Sequence, residues 1–175
     1  PFLIAAALLL GLLAWLALRS SASNGGRPAY TLDDAYIHLA MARNAVEHGQ
    51  LGVNPGEFSA ASSSPLWSTL LVASVGLVGD QEGTPLFWAA LSAAGCLWLV
   101  NRFCHARGLR APTRLAACLL VLYAAPLPAL VSTGMEHATH LFFLLLLLAR
   151  VFDLLEPGAR GSVLPACGAA FLATG

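Results

Sequence analysis

The chain has 175 residues, 58% of them hydrophobic and 10% charged, with a mean hydropathy of +0.73. A soluble domain carries about 25% charged residues, so this apolar content exceeds what one core in water can bury, and lipid must solvate much of the chain. Nine arginines balance nine acids to a net charge of zero, and with no basic stripe and no charge run a nucleic-acid partner is excluded.

Phe2 to Leu18 carries no charge and reads as a first membrane span, residues 2–18. Its end, Leu18-Arg19-Ser20-Ser21, has the character of a signal-peptide cleavage site, but the apolar segments that follow favour a retained span. A polar linker, Ser20 to Arg27, opens a long external loop over residues 19–83. Within it Thr31-Leu32-Asp33-Asp34 has the form of a capping box and predicts a helix over 32–48. Leu32, Ala35, Leu39, Ala42 and Val46 share one stripe of that helix and Asp33, Asn44 and His48 gather on the other side, a pattern suited to the membrane interface. Gly49 ends the helix, Asn54-Pro55-Gly56-Glu57 forms a turn, and Ser62-Ser63-Ser64-Pro65 starts a second apolar helix over 66–79.

That second helix rises about 21 Å against a hydrocarbon core of about 30 Å, so it is expected to lie shallow rather than to span. Further spans are expected at about 84–103, 115–131, 134–152 and 163–175. Arg102, Arg107, Arg110 and Arg114 flank one short loop and Arg150 and Arg160 another. With 66–79 left out of the span count both loops fall on the cytoplasmic side, as arginine-rich loops should. The fold class is then all-α: a polytopic membrane bundle with interfacial helices in its first external loop, and with Asp33, Asp34, Glu136 and His137 on one external face. The four cysteines, Cys96, Cys104, Cys118 and Cys167, read as small buried apolar residues, since they form no Cys-x-x-Cys pair. The chain starts at Pro1 and stops inside an apolar run, which reads as the N-terminal piece of a larger protein.

Asp33 and Asp34 are the foremost candidates for chemistry. Adjacent acids at a helix N-terminus are favoured by the helix dipole, which is a sufficient structural reason for them. Residues one apart point about 100° apart, however, so one carboxylate is able to cap while the other faces the membrane surface as a general base. Glu136 fits a capping box with Thr133, and capping is the first reading there. His137 and His140 have ligand-compatible spacing but no carboxylate cluster beside them, so no metal signature results. His38 stands one turn from Asp34, where a pair is expected. Arg43 suits a phosphate at headgroup depth, or else snorkels and pairs with Glu47. Trp67 and Tyr36 read first as interfacial anchors.

Taken in order, Leu32-Asp33-Asp34-Ala35-Tyr36-Ile37, Ala42-Arg43-Asn44, Gly49, Asn54-Pro55-Gly56-Glu57 and Ser64-Pro65-Leu66-Trp67 resemble the first external loop of the GT-C superfamily of membrane glycosyltransferases, in particular its bacterial arabinofuranosyltransferase-like members. Thr133-Gly134-Met135-Glu136 is similar to a Ser-Gly-Leu-Glu-Thr type of segment in those proteins, with Met135 in place of Leu and His137 in place of Thr. The stretch from Ser59 to Ser63 lacks the Gly-aromatic pair of that family. The resemblance implies inverting transfer of a sugar from a polyprenyl-phosphate donor to a glycan or lipid acceptor, at the outer face of a bacterial cytoplasmic membrane. It makes Asp33 or Asp34 the catalytic base and places Arg43, Asn44, Trp67, Glu136 and His137 around the substrates; the heavier weight falls on Asp33, because Asp34, as the acid of the capping box, already has a structural role. Some members of the superfamily use a divalent cation, for which the Asp pair is the one visible ligand set. The alternative class is a non-enzymatic membrane protein, a transporter or flippase subunit, which should carry ionisable groups near mid-bilayer; these spans carry almost none.

Overall fold

The computed structural model describes residues 1–27, 29–59, 62 and 64–155, and every regular element among them is a helix. In chain order these are α1 (Phe2–Ser23), α2 (Asp34–His48), α3 (Pro65–Val78), α4 (Thr84–Ala106), α5 (Ala111–Ala124), α6 (Leu127–Ser132) and α7 (His137–Leu155). Three of them, α1, α4 and α7, are long and apolar enough to cross a membrane. Among the described residues the architecture is all-helical, as an all-α membrane protein requires.

The most enclosed of the three is α4, with 33% of its apolar window buried against 11% for α1 and α7. Ala89, Ala93, Cys96 and Leu97 recur at helical spacing on its inward face, and small side chains there let neighbours approach closely. Around this stripe pack Ala5 and Leu9 of α1, Cys118 and Leu122 of α5, Leu127 and Val131 of α6, and Ala138 of α7. The Oγ of Ser92 lies 2.9 Å from Oγ1 of Thr139, and Phe103 meets Phe152 edge to face at 5.6 Å. Residue order rises in the same direction along both helices, so α4 and α7 run parallel. Phe142 covers Gly95 so closely that a Cβ there would come within 2.7 Å of the ring. On the other flank Leu16 and Ser20 of α1 share a small cleft with Gly83 and Leu86 at the start of α4, which makes α1 and α4 antiparallel.

One end of the bundle consequently gathers Ser20, Asp33, Asp34, Glu82 and Glu136. The other gathers Arg102, Arg107, Arg110, Arg114 and Arg150. The division is partial, since Arg19 lies beside Ser20 at the first end and Asp153 beside Arg150 at the second.

Several local expectations give way. The span expected over 115–131 is two helices, α5 and α6, separated at Ala125 and Pro126; Pro126 and Pro128 have no N–H to give and disfavour helical backbone in the residue before them. The capping box at Thr31 does not form: α2 starts at Asp34, with no side-chain cap on its first turn, and the Asp33 carbonyl accepts from Tyr36 and Ile37 at 2.9 and 3.1 Å. Nor does Thr133 cap α7. Its hydroxyl turns back to the Leu130 carbonyl at 2.7 Å, finishing α6 instead, and α7 starts at His137. The segment 163–175 lies outside the described residues.

The pair α2 and α3 forms a hairpin laid beside α4. Ala42 packs with Trp67, Leu71 and Val75, while Trp88 of α4 touches the same cluster and donates from Nε1 to Ser74 Oγ at 2.9 Å. The apolar stripe read from the sequence is thus part of the contact face. That face is wider than the stripe, because His38, Met41 and Asn44 are buried as well.

Candidate functional site at the acid-bearing end

Tyr30 anchors the start of α2. Its hydroxyl donates to the Glu82 carbonyl and accepts from the Leu86 N–H at 3.3 Å, bolting the loop to the first turn of α4. The ring meets Tyr36 edge to face at 5.3 Å, and the Tyr36 hydroxyl accepts from the Tyr30 N–H at 3.2 Å. On its far side Tyr30 presses on Gly134, whose φ of +68° belongs to the left-handed region; a methyl group added there would overlap the ring and come within 2.9 Å of the Ala35 Cβ. This contact sets the first turn of α2 against the loop that ends in Glu136.

Burial pushes the Tyr30 phenol up to about 12, with smaller upward contributions from Tyr36 and Glu82 against a downward one from the Leu86 N–H. Because the folded value lies above the ordinary 10, this group's contribution to stability is complete below pH 10 and is lost as pH rises toward 12. Alkaline titration of the detergent-solubilised protein should therefore loosen the fold across that window, and Tyr30→Phe should flatten the loss. Circular dichroism against pH reads the difference; a transition unchanged by the substitution would remove Tyr30 as its cause.

Within this frame Asp33 is exposed and Asp34 half-buried, and neither carboxylate has a hydrogen-bond or ion-pair partner among the described residues. His38 is buried, and its Nδ1 lacks a hydrogen-bond partner among those residues, so the expected pair with Asp34 does not form. Glu136 is buried at 4% exposure, and its backbone carbonyl accepts from the His140 N–H at 2.9 Å. His140 reaches across to α3, where its Nε2 lies 3.2 Å from the Oγ of the fully buried Ser64. Ser68 donates to Ser62 at 2.6 Å and Ser62 in turn to the Ser64 carbonyl at 3.1 Å, so a chain of hydroxyls runs behind the histidine. His137 is exposed.

Three residues expected around substrate have structural work here. Arg43 pairs with Asp80 just past α3, Nε to Oδ2 at 2.7 Å, rather than with Glu47, and so clips α2 to α3. Asn44 donates to the carbonyls of Gly52 and Val53 at 2.8 and 3.0 Å, closing the turn that follows α2. Removal of that amide leaves two carbonyls unmatched, so Asn44→Ala should cost about 1–3 kcal/mol; a thermal melt in detergent unchanged by the substitution would contradict this role. Trp67 is 1% exposed and packed between α2 and α3 instead of anchoring at the interface.

Below the Ser64–His140 contact an apolar groove of about 470 Å³ runs between α3, α4 and α7, walled by Leu66, Leu70, Trp88, Thr139 and Phe142 and reaching Trp98. The groove borders the polar cluster through sequence neighbours, since His140 follows Thr139. No group of three metal-ligating side chains occurs among the described residues. Comparison of the chain with family models, curated proteins and solved structures gives no match.

The site residues that sequence reasoning passed over are Tyr30, Ser64 as a partner of His140, and Asp80. Each acts across 37 residues or more, Arg43 to Asp80 being the shortest link, and no local periodicity reports such a distance. Gly134 did carry a signal, being a glycine between a threonine and an acid at a helix start.

Proposed function

We propose that this protein is a membrane glycosyltransferase of the GT-C kind, moving a sugar from a polyprenyl-phosphate donor to a cell-envelope glycan or lipid acceptor at the outer face of a bacterial cytoplasmic membrane. One observation carries the reading: Asp33 and Asp34, without partners among the described residues, stand at the same end of the bundle as Ser64 and His140, whose near neighbours in sequence, Leu66 and Thr139, line an apolar groove. A donor with a long apolar tail and a polar head calls for that order of surfaces.

In this reading Asp33 takes the proton of the acceptor hydroxyl as its oxygen attacks the anomeric carbon, and the bond from that carbon to the phosphate oxygen breaks, with the electron pair leaving on polyprenyl phosphate. Asp34 adds negative potential at the helix start, and Glu136 with His140 borders the acceptor side. Arg43 meets the phosphate only if Asp80 gives way, so its part in the reaction is secondary to its part in the hairpin. A divalent cation, if the reaction uses one, has Asp33 and Asp34 as its available ligands. The test is a membrane-fraction assay with radiolabelled polyprenyl-phosphate pentoses and hexoses. Transfer that requires this chain is the expected result; no transfer from any donor by well-folded protein, together with passage of lipid-linked sugar across vesicles, would replace the enzyme with a flippase subunit.

A further inference from the structure

At the arginine-bearing end, the guanidinium carbon of Arg102 stands 5.3 Å from the Trp98 ring centre and that of Arg107 stands 3.4 Å from the Phe103 ring centre. Arg107 also lies 5.7 Å from Phe152 of α7. Stacking on aromatic faces fixes where these charges sit without neutralising them. With Arg150 and Asp153 of α7 they line a pocket of mixed polarity, of about 170 Å³, between α4 and α7. Three positive charges therefore face one negative. Neither Arg102 nor Arg150 has an ion pair among the described residues.

The pocket does not end in polar surface. Leu99, Phe103 and Ala149 also line a second cleft, of about 180 Å³ and almost wholly apolar, which continues along the same seam past Leu145 and Leu148. A soluble anion needs only the first compartment, whereas an amphiphile needs both. Arg110 is exposed like Arg102 and Arg150 but lines neither compartment, so what sets the latter two apart is their place at the head of an apolar cleft and not their burial.

We propose that this pocket binds the phosphate headgroup of an anionic phospholipid, with the acyl chains lying in the apolar continuation between α4 and α7. Arg102 and Arg150 supply the charge, and Trp98 and Phe103 hold the polar wall at headgroup depth. The site lies at the end of the bundle opposite Asp33, and the proposal stands whether or not the protein transfers sugar. Its test is native mass spectrometry of the full chain released from nanodiscs of mixed phosphatidylcholine and phosphatidylglycerol. The wild-type protein should retain phosphatidylglycerol in preference. Arg102→Gln/Arg150→Gln should lose that preference by about thirtyfold, roughly fivefold for each arginine at a membrane surface. Arg110→Gln, outside the pocket, should keep it, and Arg102→Lys/Arg150→Lys should keep part of it. Equal retention of the two lipids by wild type would overturn the proposal even if the double variant fails to fold. Undiminished retention by the folded double variant, or displacement of the lipid by inorganic phosphate alone, would overturn it as well.

Discussion

Asp33→Asn is expected to lower sugar transfer by about two to four orders of magnitude, the usual contribution of a positioned general base. The amide keeps the shape and polarity of the carboxylate but cannot take a proton. Asp33 is exposed, has no partner among the described residues and lies just before α2, so little of the fold depends on its charge. Asp34→Asn serves as the comparison. Its carboxylate is half-buried at the first residue of α2, and loss of charge at a helix start costs about 0.3–1 kcal/mol, with a correspondingly small effect on folded protein. The absence of a capping box changes the basis for preferring Asp33: the distinction rests on exposure, not on Asp34 being occupied as a cap. Initial rates with a radiolabelled donor, normalised to the protein present in the membrane, decide between them. Wild-type rates in both variants would end the catalytic proposal for this pair, whatever the fold.

Gly134→Val should be the most damaging single change to the architecture of the acid-bearing end. A β-branched residue at a φ of +68° costs about 1–3 kcal/mol in backbone strain, and overpacking against Tyr30 and Ala35 adds about 1–3 kcal/mol. The ring of Tyr30 has no room to retreat, because its hydroxyl is bonded at once to the Glu82 carbonyl and the Leu86 N–H. The strain should therefore be relieved by pushing α2 off the loop before α7, carrying Asp33 and Asp34 with it. A lowered melting temperature in detergent, together with faster hydrogen exchange in the first turn of α2, is the expected signature. Wild-type exchange there would show that the Tyr30–Gly134 contact does not hold the site together. Gly11→Val makes a suitable control, because Gly11 sits in α1 with open space around its Cα.

The polar cluster behind these acids explains why so little of the site was legible beforehand. His140 and Ser64 are separated by 76 positions, and the bond between them exists because α3 lies across the start of α7. Arg43 illustrates the same limit. Its local options on a helix were Glu47 or a phosphate, and the partner it takes is Asp80, which becomes a neighbour only when α2 and α3 fold back on each other. Trp67 and Asn44 moved from expected surface roles into the interior for one reason: α2 buries more than its apolar stripe, since α3 covers a broad face of it. Neither capping box forms: α2 starts at Asp34 with no side-chain cap, and the Thr133 hydroxyl has another acceptor within reach. Thr133 found the end of α6, an element the sequence did not announce as separate.

What composition and periodicity determined is the solvent and the class of the fold. Within lipid every backbone group must be satisfied internally, by helices or by a closed barrel, and long uncharged runs select helices and mark where α1, α4 and α7 run. The tertiary structure alone decided which helices run parallel, which side chains meet across the bundle, and where α3, α4 and α7 leave an apolar groove between them. Backbone hydrogen bonds in a helix close within four residues and so can be read locally, whereas the contacts that build this site join segments whose proximity depends on the packing of the whole bundle.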